Sequence, residues 1–146
     1  MLIGIDPLLS GELLKLLDEM GHGDEIAVVD SNYPAFTPGR PVIQLGDVSV
    51  TRAVEAILSV IPLDESTRFP LECMRSDEGT LTGGQLDVLA VARRGHRPDL
   101  EPDLVDRFEF YQRATAVSAI VRTLDARSYN CFILRKGVVR AREVLS

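Results

Sequence analysis

The chain has 146 residues, 45% of them hydrophobic, which is enough for one well-filled core and too little for two. A formal net charge of -6 and a pI near 4.9 argue against a nucleic-acid surface, which needs clustered Lys and Arg to displace phosphate counterions. Two cysteines, Cys73 and Cys131, cannot make a disulfide framework, and the absence of a leader pattern or a long apolar run points to no export and no membrane, hence to the cytoplasm.

In chain order, "SGELLKLLDEM" at 10–20 predicts an amphipathic helix capped by Ser10 and stopped by Gly21. The run "IAVV" at 26–29 predicts a short strand apolar on both faces, which places Asp30 at its carboxyl end. A Pro-rich loop leads to a second strand at 42–45 and then to a helix opened by Thr51 and ended by Pro62. A strand at 70–74, a helix at 83–93, a polar stretch "RRGHRPDLEPD", a helix at 107–116 and strands at 117–123 and 131–135 complete the pattern. The alternation predicts an α/β fold: a single three-layer α/β/α domain over 1–146 with a mixed, mostly parallel central sheet.

Several polar residues fall where chemistry is done, and each has a plainer use. His22, between Gly21 and Gly23, is either a proton carrier near neutrality or a loop histidine bonded locally. Asp30 lies in the crevice position of open α/β sheets, or forms a turn with Ser31 and Asn32. Arg107 in "DRFEFYQRA" offers a donor fork on an apolar support, or an ion pair with Asp103 or Asp106. Tyr129 and Asn130 hold hydroxyls or shape the turn before the last strand. His96, in a charged loop, reads as solvated, and the adjacent Asp24 and Glu25 as a solvated shoulder. "TLTGGQ" at 80–85 is a glycine-bearing helix entry without the Lys of a phosphate loop. The scattered His and Cys residues predict no metal site and no cofactor.

Three segments together carry a resemblance: "IDPLLSGELLKLLDEMGHGDEIAVVDSNYPA", "DRFEFYQRATAVSAIV" and "SYNCFILRKGV". In this order they resemble the family of D-ribose pyranases and L-fucose mutarotases, over nearly the whole chain. The resemblance implies cofactor-free interconversion of monosaccharide forms by a ring-shaped homo-oligomer, a decamer, with sites near subunit boundaries. It implies His22 as the catalytic acid/base, and Asp30, Arg107 and the segment Tyr129, Asn130 and Cys131 as sugar-binding, with arginine at 107 matching the fucose branch. The family commonly reads Tyr-Gly/Ala-Asn where this chain reads Tyr129-Asn130-Cys131, and a one-residue slip in an extended segment turns a side chain to the other face. A non-catalytic sugar-binding or sensor module of the same fold is the competing expectation.

Overall fold

A computed structural model describes residues 1–145. Six strands form one sheet in the order β2-β5-β1-β6-β3-β4, from β1 (Glu25–Val29), β2 (Val42–Gly46), β3 (Leu71–Met74), β4 (Asp103–Val105), β5 (Ala119–Thr123) and β6 (Phe132–Arg135). β5 runs parallel to both β1 and β2, and β4 runs parallel to β3. Only β6 is reversed, inserted antiparallel between β1 and β3. The mixed, mostly parallel sheet expected from the alternation is therefore present.

Side chains of a strand alternate between faces, and β1 divides them cleanly. Ile26 and Val28 enter the larger core, under α1 (Gly11–Glu19), α2 (Val50–Leu58) and α3 (Gly83–Gly95). Ala27 and Val29 enter a smaller one, covered by α4 (Arg107–Arg113), the 3-10 turn at Ala114–Ala116, and Tyr33 and Ala35 of the loop after β1. Both faces are covered, but unequally: three helices on one side, one short helix and a loop on the other.

The helix ends show where the chain departs from its local signals. Ser10 caps α1 as expected, its side chain accepting from the Leu13 N–H. The other end of α1 lacks a basic residue of its own, and Lys136 supplies one from the end of β6, its Nζ donating to the Leu17 and Met20 carbonyls at 2.7 and 2.6 Å. α2 starts at Val50 with Ser49 as its cap, not at Thr51, because the Asp125 carboxylate also accepts the Val50 N–H at 3.0 Å. The polar stretch 93–103 runs into β4, a three-residue edge strand too short to leave a pattern. α5 (Ala141–Leu145) was not foreseen either.

Asp125 is a buried junction. Besides Val50, it accepts from Asn130 Nδ2 at 2.9 Å and from the Arg127 backbone and guanidinium, tying α2, the turn before β6 and the end of β5 into one unit. Replacing it by alanine strands the Val50 N–H and the Asn130 amide without partners. Asp125→Ala is expected to lower unfolding stability by about 2 to 4 kcal/mol, read by urea titration, while a surface change such as Lys15→Ala stays within about 0.5 kcal/mol.

Candidate functional site at the two ends of the sheet

The loop 20–24 is shaped for His22. Asp24 closes it by accepting the Gly21 N–H at 2.7 Å, and Gly23 takes φ +89, a conformation costly for any residue with a Cβ. A Cβ on Gly23 would lie 3.1 Å from the Arg135 guanidinium, which would have to give way slightly. The loop is then stitched to the exit of β6 by backbone bonds from Gly23 to Lys136 and from Lys136 to Asp24.

The segment "PLDES" at 62–66 packs against the same exit. Gly137 approaches so closely that a Cβ there would meet the Leu63 carbonyl oxygen at 2.6 Å, and the Asp64 N–H donates to the Arg135 carbonyl. These contacts place the Asp64 carboxylate, 2% exposed, beside His22, whose side chain is 49% exposed: Asp64 Oδ1 lies 3.0 Å from His22 Nε2. Asp64 Oδ1 also accepts the Ser66 N–H and hydroxyl at 2.9 and 2.7 Å, and Oδ2 accepts from Arg135 Nε at 2.9 Å. Burial opposes ionisation of this carboxyl, but the bonds from Ser66, His22 and Arg135 outweigh it and hold its pKa well below the usual carboxylate range. His22 and Asp64 open onto a cleft of about 310 Å³, bounded also by Ser66, Val138 and Arg140.

His96 flanks the same segment from behind. It is half-buried at the end of α3, not solvated as its charged surroundings implied, and its Nδ1 faces the Leu63 N–H at 3.5 Å, while burial pushes its pKa down.

The other expected site residues gather at the opposite end of the sheet. Asp30 ends β1 with both carboxylate oxygens engaged: Oδ1 accepts the Asn32 and Tyr33 N–H groups, and Oδ2 accepts the Asn130 N–H and, at 3.4 Å, the Cys131 thiol. Burial pushes its pKa up despite these donors. It is thus both the turn former and the anchor of the 129–131 segment.

Tyr129 has φ +61 and is partly buried against the smaller core. The phenol meets the Asp77 carboxylate, whose hydrogen bond raises its pKa, and Arg107 lies close enough to act on it electrostatically. Arg107 stacks over the Phe108 ring at 4.7 Å and makes no ion pair among the described residues, since Asp103 pairs with Arg113 and Asp106 caps α4. Its donors therefore remain available. Asn130 and Cys131 turn inward to opposite sides: Asn130 under α3 against Asp125, and Cys131 into the smaller core against Asp30. Cys131 was expected to border a pocket, but only 2% of it is exposed. Both thiols are free and shielded; burial pushes the Cys73 thiol up to about 12 and the Cys131 thiol well above its ordinary value.

Behind this segment stands Gln85, the cap partner of Thr82 in α3, whose buried amide donates to the Met74 and Tyr129 carbonyls at 2.7 Å each. It lies in the glycine-bearing helix entry at 80–85, but nothing local announced its grip on residue 129.

His22 and Asp30 thus stand at opposite ends of β1, which at about 3.3 Å per residue keeps them roughly 16 Å apart, wider than a monosaccharide ring. One subunit brings Asp30, Arg107 and Tyr129–Cys131 together, and separates them from His22.

A chain with this mixed α/β sheet and these two polar ends has the build of the sugar-handling subunits its motifs resemble. Residues 3–139 match the model of the RbsD / FucU transport protein family, and the chain belongs to that family. It is 39% identical over 142 residues to an L-fucose mutarotase of Glaesserella parasuis serovar 5 (strain SH0165), covering 94% of this chain and 96% of that one. Among solved structures it resembles protein Atu2016, with a TM-score of 0.90 at 32% identity over 96% of this chain and 97% of that one. It also resembles the fucose mutarotase from Streptococcus pneumoniae in complex with L-fucose, with a TM-score of 0.80 at 31% identity over 95% of this chain and 100% of that one.

The carboxylates give the pH dependence of stability its sign. Asp64 and Asp125 have folded pKa values held below their unfolded ones, so their contribution is complete above about pH 4 and is lost as pH falls through the folded values. Asp30, Glu25 and Glu72 are pushed up by burial, so their contribution is present below their unfolded values and is lost as pH rises through the folded ones. The melting temperature is therefore expected to peak on the acid side of neutrality and to fall below about pH 4. Asp30→Asn should flatten the neutral side of the calorimetric profile.

Proposed function

We propose that the protein is a cofactor-free monosaccharide mutarotase, acting in the cytoplasm on L-fucose or a related sugar, in which His22 carries the proton. It is a carbohydrate isomerase of the L-fucose mutarotase kind. Opening a cyclic hemiacetal needs one proton removed from the anomeric hydroxyl and one placed on the ring oxygen; rotation about C1–C2 and reclosure give the other anomer. A single positioned acid/base group adds about 10²- to 10⁴-fold, enough for a reaction that already proceeds in water. The observation that carries this reading is a half-exposed imidazole held in a small cleft by a buried, ionised carboxylate.

The site is assembled between subunits. His22 of one chain faces the sugar that Arg107 and Tyr129 of its neighbour grip, in a ring-shaped homo-oligomer, a decamer. A heterologous head-to-tail interface repeats the same junction around a closed ring, which joins the two ends that a single sheet keeps apart. Asp30, Asn130 and Cys131 serve the sugar by fixing the Tyr129 turn, since their side chains are committed to one another and to Asp125. Arg107, with several fixed donors, favours fucose-like 6-deoxyhexoses over ribose.

Mixing two dead variants tests both statements. His22→Ala and Arg107→Ala, unfolded together and co-refolded, should regain roughly a quarter of wild-type sites, because random assembly places two intact halves at that fraction of junctions. The readout is magnetization transfer between α and β anomer signals of L-fucose, with D-ribose as the slower comparison. No recovery would place the site in one chain. Binding of sugars without exchange in the wild type would make the protein a sensor module instead.

A further inference from the structure

We propose that Gln85 is a positioning residue for the sugar grip: its buried amide holds the Tyr129–Asn130 peptide in the orientation that presents the Tyr129 phenol to the sugar. That the phenol meets a sugar rests on the mutarotase reading above; the clamp itself rests on geometry.

Gln85 is fully buried, and its amide is engaged at both ends. The nitrogen has two hydrogens and gives one to the Met74 carbonyl and one to the Tyr129 carbonyl, at 2.7 Å each. Oε1 accepts the Thr82 N–H at 3.0 Å. Turned over, the amide would set its oxygen against two carbonyl oxygens and its nitrogen against an N–H, so only this orientation fits.

The Tyr129 carbonyl also accepts the Cys131 N–H at 2.8 Å, and on the far side of the same peptide the Asn130 N–H donates to Asp30 Oδ2 at 3.2 Å. The C=O and N–H of a trans peptide point in opposite directions, so Gln85 and Asp30 grip this plane from either side, one as donor and the other as acceptor. A flipped plane would aim the carbonyl at a carboxylate and the N–H at an amide nitrogen. That opposition holds Tyr129 at φ +61, a region that a residue with a Cβ occupies only when its surroundings fix it. The second amide bond sets where the clamp stands. Met74 ends β3, and its own N–H donates to the Cys131 carbonyl at 3.1 Å, so the turn is tied to the sheet as well as to α3.

Gln85 also forms half of the α3 cap with Thr82, and the two duties can be separated. Gln85→Glu keeps an oxygen for the Thr82 N–H but carries at most one hydrogen where the amide has two, and none when ionised. It should raise KM for L-fucose exchange by about 5- to 100-fold and leave kcat near the wild-type value, because His22 stands at the other end of the sheet. Thr82→Ala breaks the other half of the cap and leaves both amide bonds in place, so it should lower the melting temperature and keep the wild-type KM. With no sugar present, the Tyr129 signal of protein carrying ¹³C in its tyrosine rings should shift in Gln85→Glu and stay in place in Thr82→Ala. Gln85→Met, of similar length and without a donor, should give the same KM rise and the same shift, and replaces Gln85→Glu if that chain does not fold. A wild-type KM, or an unmoved Tyr129 signal, in a folded Gln85 variant overturns the proposal. A wild-type protein that exchanges no L-fucose rejects the mutarotase reading, and the Tyr129 signal then decides the clamp by itself: a shift upholds it and no shift overturns it.

Discussion

β6 runs against its neighbours in the middle of the sheet, and this one reversal puts both ends of a four-residue strand to use. Its entry, Tyr129–Cys131, meets Asp30 at the carboxyl end of β1. Its exit, Arg135–Gly137, meets the loop of His22 before β1 and the Asp64 segment before β3. A parallel strand in the same slot would need its own crossover and would bring different loops together at each end. The antiparallel register ties the two polar ends to each other through a strand paired on both edges.

Buried carboxylates do the local organising, and they are tuned in opposite directions. Asp64 and Asp125 have charged guanidinium donors and stay ionised far below the normal range. Asp30 has only neutral donors, three N–H groups and a weak thiol, and burial wins. The contrast fits their uses. Asp64 holds its charge beside the His22 imidazole, whereas Asp30 holds a turn in which Tyr129 adopts a backbone conformation rare outside glycine.

Much of this was legible from the residues. Alternation of apolar runs gave the layers, and the Ser10 cap marked the start of α1, because that signal acts over three residues. His22 and Asp30 stood out for their places around an apolar strand. What was hidden acts across the chain: Lys136 closing α1, Asp125 moving the start of α2 ahead of Thr51, and the partners of His22, Asp64 and Ser66, which lie 42 and 44 residues away. The Asp64–Ser66 turn drew no notice in the sequence, and no local pattern tells which side chain such a turn will meet. The inward setting of Cys131 was misjudged because an extended segment shows which residues alternate, not which face looks at solvent.

The central claim is that one sugar is held by two subunits, with the proton carrier on one and the hydroxyl grip on the next. A crystal structure of the assembled protein with L-fucose tests it most directly. The account predicts the sugar at a subunit junction, its anomeric and ring oxygens within hydrogen-bond reach of His22 of one chain, and other hydroxyls on Arg107 and Tyr129 of the neighbour. A sugar bound wholly within one chain, or one in which His22 reaches no oxygen of the hemiacetal, would contradict it.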